Sequence, residues 1–340
     1  MPGTIGPLAA ETDPPQSLDR PQSATRQYFW VYLGGFVALH LLALLALIPW
    51  FFSWTGLAAV LVGNCVFGSL GINLAYHRLL THRGLTLPKW LEHGFALLGV
   101  CCLQDAPARW VAIHRMHHQH SDRQEDPHSP LVNFYWAHIG WLIYQNKYFG
   151  TLDFYDRYVR DLVKDPFYLR LERNAMYFWV YVTHAILFYL AGLGIGWWMT
   201  GSRSETLQFA ASLLVWGVFV RTVYVWHITW AVNSVTHLWG YRNYEVADQS
   251  RNNWIIGLTN NGEGWHNNHH AFPRCAAHGH MWWELDLTYL FILLLERLGI
   301  AKNVVHPTPD HLKTRTGRTE VCESEELTGL APDAGCPSSP

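Results

Sequence analysis

The chain has 340 residues, 50% hydrophobic, 15% aromatic and only 15% charged, with a formal net charge of -2. A soluble domain carries about 25% charged residues, so this composition points to a membrane, and without a basic excess there is no electrostatic footing for a nucleic-acid partner. Six cysteines with no CxxC pair exclude an iron–sulfur cluster, a zinc ribbon or a disulfide framework within the chain, whereas 20 histidines are the compositional outlier. Residues 1–27 are polar and Pro-rich and are expected to form a disordered tail. Four apolar runs follow, at roughly 29–52, 54–75, 175–199 and 207–232, each long enough for the approximately 20 residues a bilayer crossing requires. They are apolar nearly all round, which separates them from the striped helices of a soluble core. Shorter runs at 94–104 and 285–295 are read as interfacial or core helices, and residues 305–340 as a second disordered tail. The expectation is an all-α integral membrane protein, with one domain over 28–304.

Charge placement orients the spans. The connection between the first two runs carries no Lys or Arg, and that between the last two carries only Arg203. The segment 76–174 carries twelve, and the part after residue 237 carries eight. Both termini and the long middle segment are therefore expected in the cytoplasm, with a helical cap on that side. Arg221, inside the fourth run, is expected near the inner interface, where its side chain can snorkel.

The histidines cluster in this cytoplasmic material. HRLLTH holds His77 and His82, HRMHHQH holds His114, His117, His118 and His120, and HNNHH holds His266, His269 and His270. The second and third clusters share an HxxHH spacing, which puts i, i+3 and i+4 on one helix face. His77 and His82 are five apart, well off one face of an α-helix, so a break between them is expected. Neutral imidazole is the commonest metal ligand. Eight clustered histidines exceed what a single ion takes, and the absence of HExxH argues against a metalloprotease. A redox di-iron site at the membrane surface is the leading reading. His40, His93, His138, His184 and His227 are read as structural, and His120, His128, His278 and His280 are left outside the ligand set. Asn233 and His237 in NSVTH are four apart, so one helix face is expected to present both.

With these motifs in place, the chain resembles the membrane fatty-acyl desaturases, of the stearoyl-CoA and the bacterial and plant delta-9 types. That family carries HxxxxH, HxxHH and HxxHH boxes, matched here by His77–His82, His114–His118 and His266–His270, with smaller matches in NLAYHRLLTHR, HRMHHQHSD, DPH at 126–128 and NSVTHLWG. The resemblance covers about residues 29–300. It implies two iron ions held by His77, His82, His114, His117, His118, His237, His266, His269 and His270, with Asn233 contacting one iron through a water. It implies an O2-dependent reaction that inserts a cis double bond, expected at the delta-9 position, into an acyl chain. Gln104, Trp110, Thr229 and Trp230 are the implied tunnel residues.

The resemblance has one departure. Animal acyl-CoA desaturases carry an Arg-Asp pair before the second box, where this chain has Ala112 and Ile113. The acyl carrier, CoA or a membrane lipid, is left open. No HPGG motif marks a fused cytochrome b5, so a separate donor is expected: ferredoxin, rubredoxin or cytochrome b5. Arg109, Arg115, Arg123, Arg157 and Arg160 form a candidate docking face for it. The bacterial inner membrane is the expected location. Two other readings stay in view: a membrane hydroxylase or alkane monooxygenase on the same scaffold, and a non-enzymatic metal transporter or store. The transporter predicts facing polar residues at mid-bilayer, but the clusters lie outside the spans.

Overall fold

The first ordered element is a strand. The computed structural model describes residues 17–308, and within it β1 (Ala24–Tyr28) pairs antiparallel with β2 (Tyr144–Asn146), Ala24 opposite Asn146 and Tyr28 opposite Tyr144. Arg20 lies over the rings of Trp136 and Tyr144, 4.9 and 4.4 Å from their centroids. This corrects the expected disorder for 17–27 and adds a small sheet to the expected all-α fold. Residues 1–16 and 309–340 lie outside the described residues. At the other end, Val305 N donates to Gly84 O and Val305 O accepts from Ala276 N, both at 2.8 Å. The stretch from 305 therefore begins as packed chain, contrary to the expectation of a tail.

Four helical segments are long and apolar enough to cross a membrane: Trp30–Leu47, Trp54–Thr81, Pro166–Thr200 and Arg203–Val235. The first is α1 (Trp30–Leu44) with a 3-10 turn. The second is α2 (Trp54–Gly63), started by Ser53 accepting from Gly56 N, continued by a wide π-helical stretch, Asn64–Thr81. Then come α3 (Lys89–Val100), α4 (Pro107–His120), the short α5 (Trp141–Ile143), α6 (Leu152–Val163) and α7 (Pro166–Glu172). Pro107 and Pro166 open α4 and α7, where a missing N–H costs nothing. The third and fourth spans are completed by α8 (Met176–Thr200) and by α9 (Arg203–Leu214) with α10 (Arg221–Val235), the last two joined by a π segment. α11 (Trp254–Thr259), α12 (His266–Ala271) and α13 (Leu287–Arg297) close the chain.

Small residues let the spans pack where hydrophobicity alone gives no preference for helix over lipid. A Cβ on Gly192 would come within 2.7 Å of Ala210 Cα, so α8 and α9 touch backbone to backbone. Likewise Gly71 meets Gly99, where an added Cβ would lie 2.3 Å from the Gly99 nitrogen. That contact seats α3 on the second span. The main core gathers around Leu74, Leu80, Val100, Val111 and Ala112, all fully buried, immediately beneath the histidines.

Arg221 does not snorkel. It is fully buried inside the protein, and its Nη2 donates to Cys101 O at 2.9 Å.

Candidate metal centre

The second span ends in π geometry, which settles how His77 and His82 meet. A π-turn closes i to i+5 instead of i to i+4. Here His82 N bonds His77 O at 3.2 Å and Thr81 Oγ1 bonds Tyr76 O at 2.8 Å. The two rings lie on one side, their centroids 4.8 Å apart. The expected break is absent, because a wider helix does the same work. His237 sits just past the end of α10, in a turn, while Asn233 is still helical. This corrects the single shared helix face.

The side chains converge into two groups. His77, His82, His114, His118 and His269 form one, and His117, His237, His266 and His270 form the other, each with its ligating nitrogens within 4.8 Å of one another. The two HxxHH helices divide between them reciprocally. On α4, His114 and His118 go to the first group and His117 to the second; on α12, His266 and His270 go to the second and His269 to the first. Positions i+3 and i+4 differ by about 100° around a helix, so they straddle the facing edge and reach different centres.

Proton counting shows what these groups lack. His77 Nδ1 meets Glu263 (2.6 Å), His117 Nδ1 meets Asp126 (3.0 Å), His237 Nδ1 meets Asp122 (2.8 Å) and His270 Nδ1 meets Asp248 (2.7 Å). A carboxylate accepts, so each of those Nδ1 atoms carries a proton, and wherever the ring is neutral its Nε2 presents a lone pair. Yet Nε2 faces Nε2 at 3.1 Å between His77 and His269, 3.1 Å between His237 and His266, and 3.0 Å between His266 and His270. His266 has one proton at most for two such contacts. Buried His117 Nε2 and both nitrogens of His82 find no hydrogen-bond partner among the described residues. Ligands at right angles around one ion, each about 2.1 Å from it, stand about 3.0 Å apart. The residues present fit two cations, one per group.

Protonation states agree at six of the nine rings and differ at His237. Burial first, and neighbouring imidazoles second, push His82, His114, His117, His118, His266 and His269 well below the usual imidazole range, leaving them neutral. Burial also disfavours a charge on His237, but Asp122 outweighs it and raises that ring to about 9, a proton that a bound cation would displace. Burial alone would raise Asp122, Asp248 and Glu263, but the facing imidazoles hold all three well below the carboxylate range. Arg78, fully buried, fixes Glu263 from the other side, at 2.8 Å, and Asp286 at 2.9 Å.

A cavity runs up to this centre. His77, His114, His266 and Asn233 line its inner end, and Val31 and Phe178, both exposed on spans, its outer end. With its open mouth its empty volume is about 1240 Å³. Gln104, Trp110, Thr229 and Trp230 all line it. Three of them are linked: Gln104 Nε2 donates to Thr229 Oγ1 at 3.0 Å, and Trp110 Nε1 to Gln104 Oε1 at 3.3 Å. Trp110 also stacks on His114, centroids 5.0 Å apart.

A family model described as fatty acid desaturase matches residues 52–291. The chain belongs to the fatty acid desaturase family. It is 43% identical over 284 residues to an sn-2 palmitoyl-lipid 9-desaturase of Nostoc sp. (strain 36), covering 83% of this chain and 92% of that one. An sn-1 stearoyl-lipid 9-desaturase of Anabaena variabilis is 43% identical over 83% of this chain and 96% of its own. An acyl-CoA C20 delta5-desaturase of Anemone leveillei is 40% identical over 86% of both chains. This desaturase is therefore an oxidoreductase acting on fatty-acyl chains, and the transporter reading falls away.

The sequence reading of the desaturase missed its carboxylates. Asp122 and Asp126 sit in SDRQED, directly after the second box, and Glu263 three residues before the third. Their positions beside the boxes were the available signal; Asp248 had none. His128 and His278 also press on the clusters, His117 and His128 with centroids 4.4 Å apart and His269 and His278 likewise 4.4 Å. Two of the five docking arginines serve the fold instead. Arg115 bonds Leu80 O, Thr81 O and Asp161, and Arg109 pairs with Asp105 at 3.5 Å.

Proposed function

We propose that this desaturase inserts a cis double bond at position 9 of a lipid-linked acyl chain, using two irons held by the two histidine groups. The observation that carries the reading is that both groups reach one cavity, His77 and His114 from the first and His266 from the second. An unactivated methylene C–H has no useful acidity, and two irons, when bound, supply the oxidising power that its cleavage demands. His77, His82, His114, His118 and His269 would hold one, and His117, His237, His266 and His270 the other. Asn233, at the cavity wall beside them, is proposed to orient a water on one of them. Glu263, Asp122, Asp126 and Asp248 fix the tautomer of four of these rings, so that every Nε2 stays free to ligate.

The protein supplies position. Gln104, Trp110, Thr229 and Trp230 wall the cavity and hold one pair of methylenes near the centre. Overall, –CH2–CH2–, O2, two electrons and two protons become –CH=CH– and two waters. The electrons come from a separate donor, a ferredoxin, a rubredoxin or a cytochrome b5. A lipid carrier is favoured by the names of two relatives at 43% identity. It is favoured also by Ala112 and Ile113, which are buried apolar side chains with nothing to offer a CoA phosphate. The distribution of Lys and Arg favours the cytoplasmic side for the centre, and the bacterial relatives favour an inner membrane.

Expression in a host that lacks unsaturated fatty acids tests this directly. Lipid mass spectrometry should find alkenes at position 9, and membranes supplied with phospholipid or with acyl-CoA should desaturate the former. Alkene formation that survives His118→Ala would sink the di-iron assignment.

A further inference from the structure

Arg221 is a cation buried within a membrane-length helix, and an ionisable residue in that setting is costly enough to imply a function. It lines neither histidine group. The structure makes room for it: a Cβ on Gly63 would fall 2.6 Å from Arg221 Cδ. Its guanidinium carbon stands 3.9 Å from the Phe67 ring centroid, and Nη2 donates to Cys101 O. Further along α10, Trp226 Nε1 donates to Cys102 O at 2.9 Å and to Leu103 O at 3.2 Å. Further still, Thr229 accepts from Gln104. One helix thus holds four consecutive residues of the turn between α3 and α4.

That turn does not hold its shape by itself. Leu103 and Asp105, on either side of Gln104, have φ of +52° and +70°. An aspartate visits this left-handed region at modest cost, but a leucine enters it only when its surroundings impose it. The imposed shape drives the Gln104 amide into the cavity. Asn233 follows Thr229 by four residues on the same helix, so Gln104 and the inner end of the cavity are referenced to one rigid rod.

Resting on the desaturase reading above, we infer that Arg221 and Trp226 are positioning residues that fix the Cys101–Ala106 turn and thereby set which pair of methylenes stops at the metal centre. A displacement of about 1 Å changes reactivity by up to about a hundredfold, so a loosened turn redistributes the double bond among neighbouring positions.

The test uses the full chain in a host lacking unsaturated fatty acids, with double bonds located by mass spectrometry and iron measured on purified protein. Arg221→Met should raise the share of alkene at neighbouring positions roughly tenfold, with iron content unchanged. Trp226→Phe, which keeps an aromatic side chain but loses the indole donor and some volume at the cavity wall, should shift it in the same direction by less. Arg221→Lys, still able to donate to Cys101 O, should restore most of the wild-type distribution. Lower yield at an unmoved position in Arg221→Met and Trp226→Phe would overturn the inference, as would failure of all three variants to accumulate, which would assign these residues to folding. A wild type that makes oxygenated chains and no alkene would instead sink the desaturase reading.

Discussion

Two sets of histidines in this protein meet at the same distance and mean different things. In the metal centre, Nε2 faces Nε2 at 3.0–3.1 Å. On a wall formed by α1, α10 and the π-helical Trp136–Gly140 segment, apart from the cavity lining, His40 Nε2 meets His227 Nε2 at 3.0 Å, and His227 Nδ1 meets His138 Nε2 at 3.0 Å. The wall histidines form a line that protons satisfy. His138 donates to His227, His227 to His40, and His40 Nδ1 to Phe36 O (2.7 Å), while Ser234 Oγ has one proton between His138 Nδ1 (2.9 Å) and Trp230 O (3.0 Å). Every link from His138 onward has one donor and one acceptor with all rings neutral. In the centre carboxylates hold the Nδ1 protons of four rings, and more Nε2 contacts remain than there are protons to fill them. Proximity alone does not identify a metal site. The inventory of protons does.

The largest expected effect separates the two sets. His266→Ala should lose iron and lower desaturation more than about a hundredfold, whereas His227→Ala should keep its iron and most of its activity. Metal analysis and lipid profiling on the same preparations check both. Equal iron loss in the two variants would erase the distinction.

Next come the carboxylates that distinguish the sets. Asp122→Asn and Asp248→Asn should each weaken iron retention about 10- to 100-fold, the usual cost of losing such a partner. Competition with a chelator measures this. Ser234→Ala, at the end of the wall chain, should leave iron retention unchanged.

A third effect concerns the pH dependence of the iron-free protein. Six ligand imidazoles are pushed below the usual range by burial, so the unfolded chain takes up protons near pH 6.5 that the folded chain refuses. Stability rises with pH wherever the unfolded state binds more protons. Iron-free protein should therefore lose stability as pH falls from about 7 to 5, by up to about 1.4 kcal/mol per pH unit for each imidazole. Thermal unfolding in detergent follows it. A flat profile would contradict neutral, buried ligands.

What the sequence revealed was local. Each apolar run is its own signal, and so is each HxxHH box, because ligands three and four apart share a helix side. What it hid depended on packing between distant segments. Asp248 reaches His270 only because the loop after α10 folds over α12. The reciprocal division of His117 and His269 needs two helices face to face. His77 and His82 misled because a 3.6-residue template does not describe a π-turn. Arg221 misled in another way: hydropathy registers the cost of a buried charge but not the carbonyl that receives it. β1 was invisible because its partner, β2, lies more than a hundred residues away.

The central claim is that the two histidine groups are two metal sites. Iron per chain in the purified full-length protein tests it most directly, read together with its His266→Ala and His82→Ala variants. Two irons in the wild type, with iron lost in each variant, is the expected result. One iron or none in a fully active wild type, or two irons retained in both variants, would contradict it.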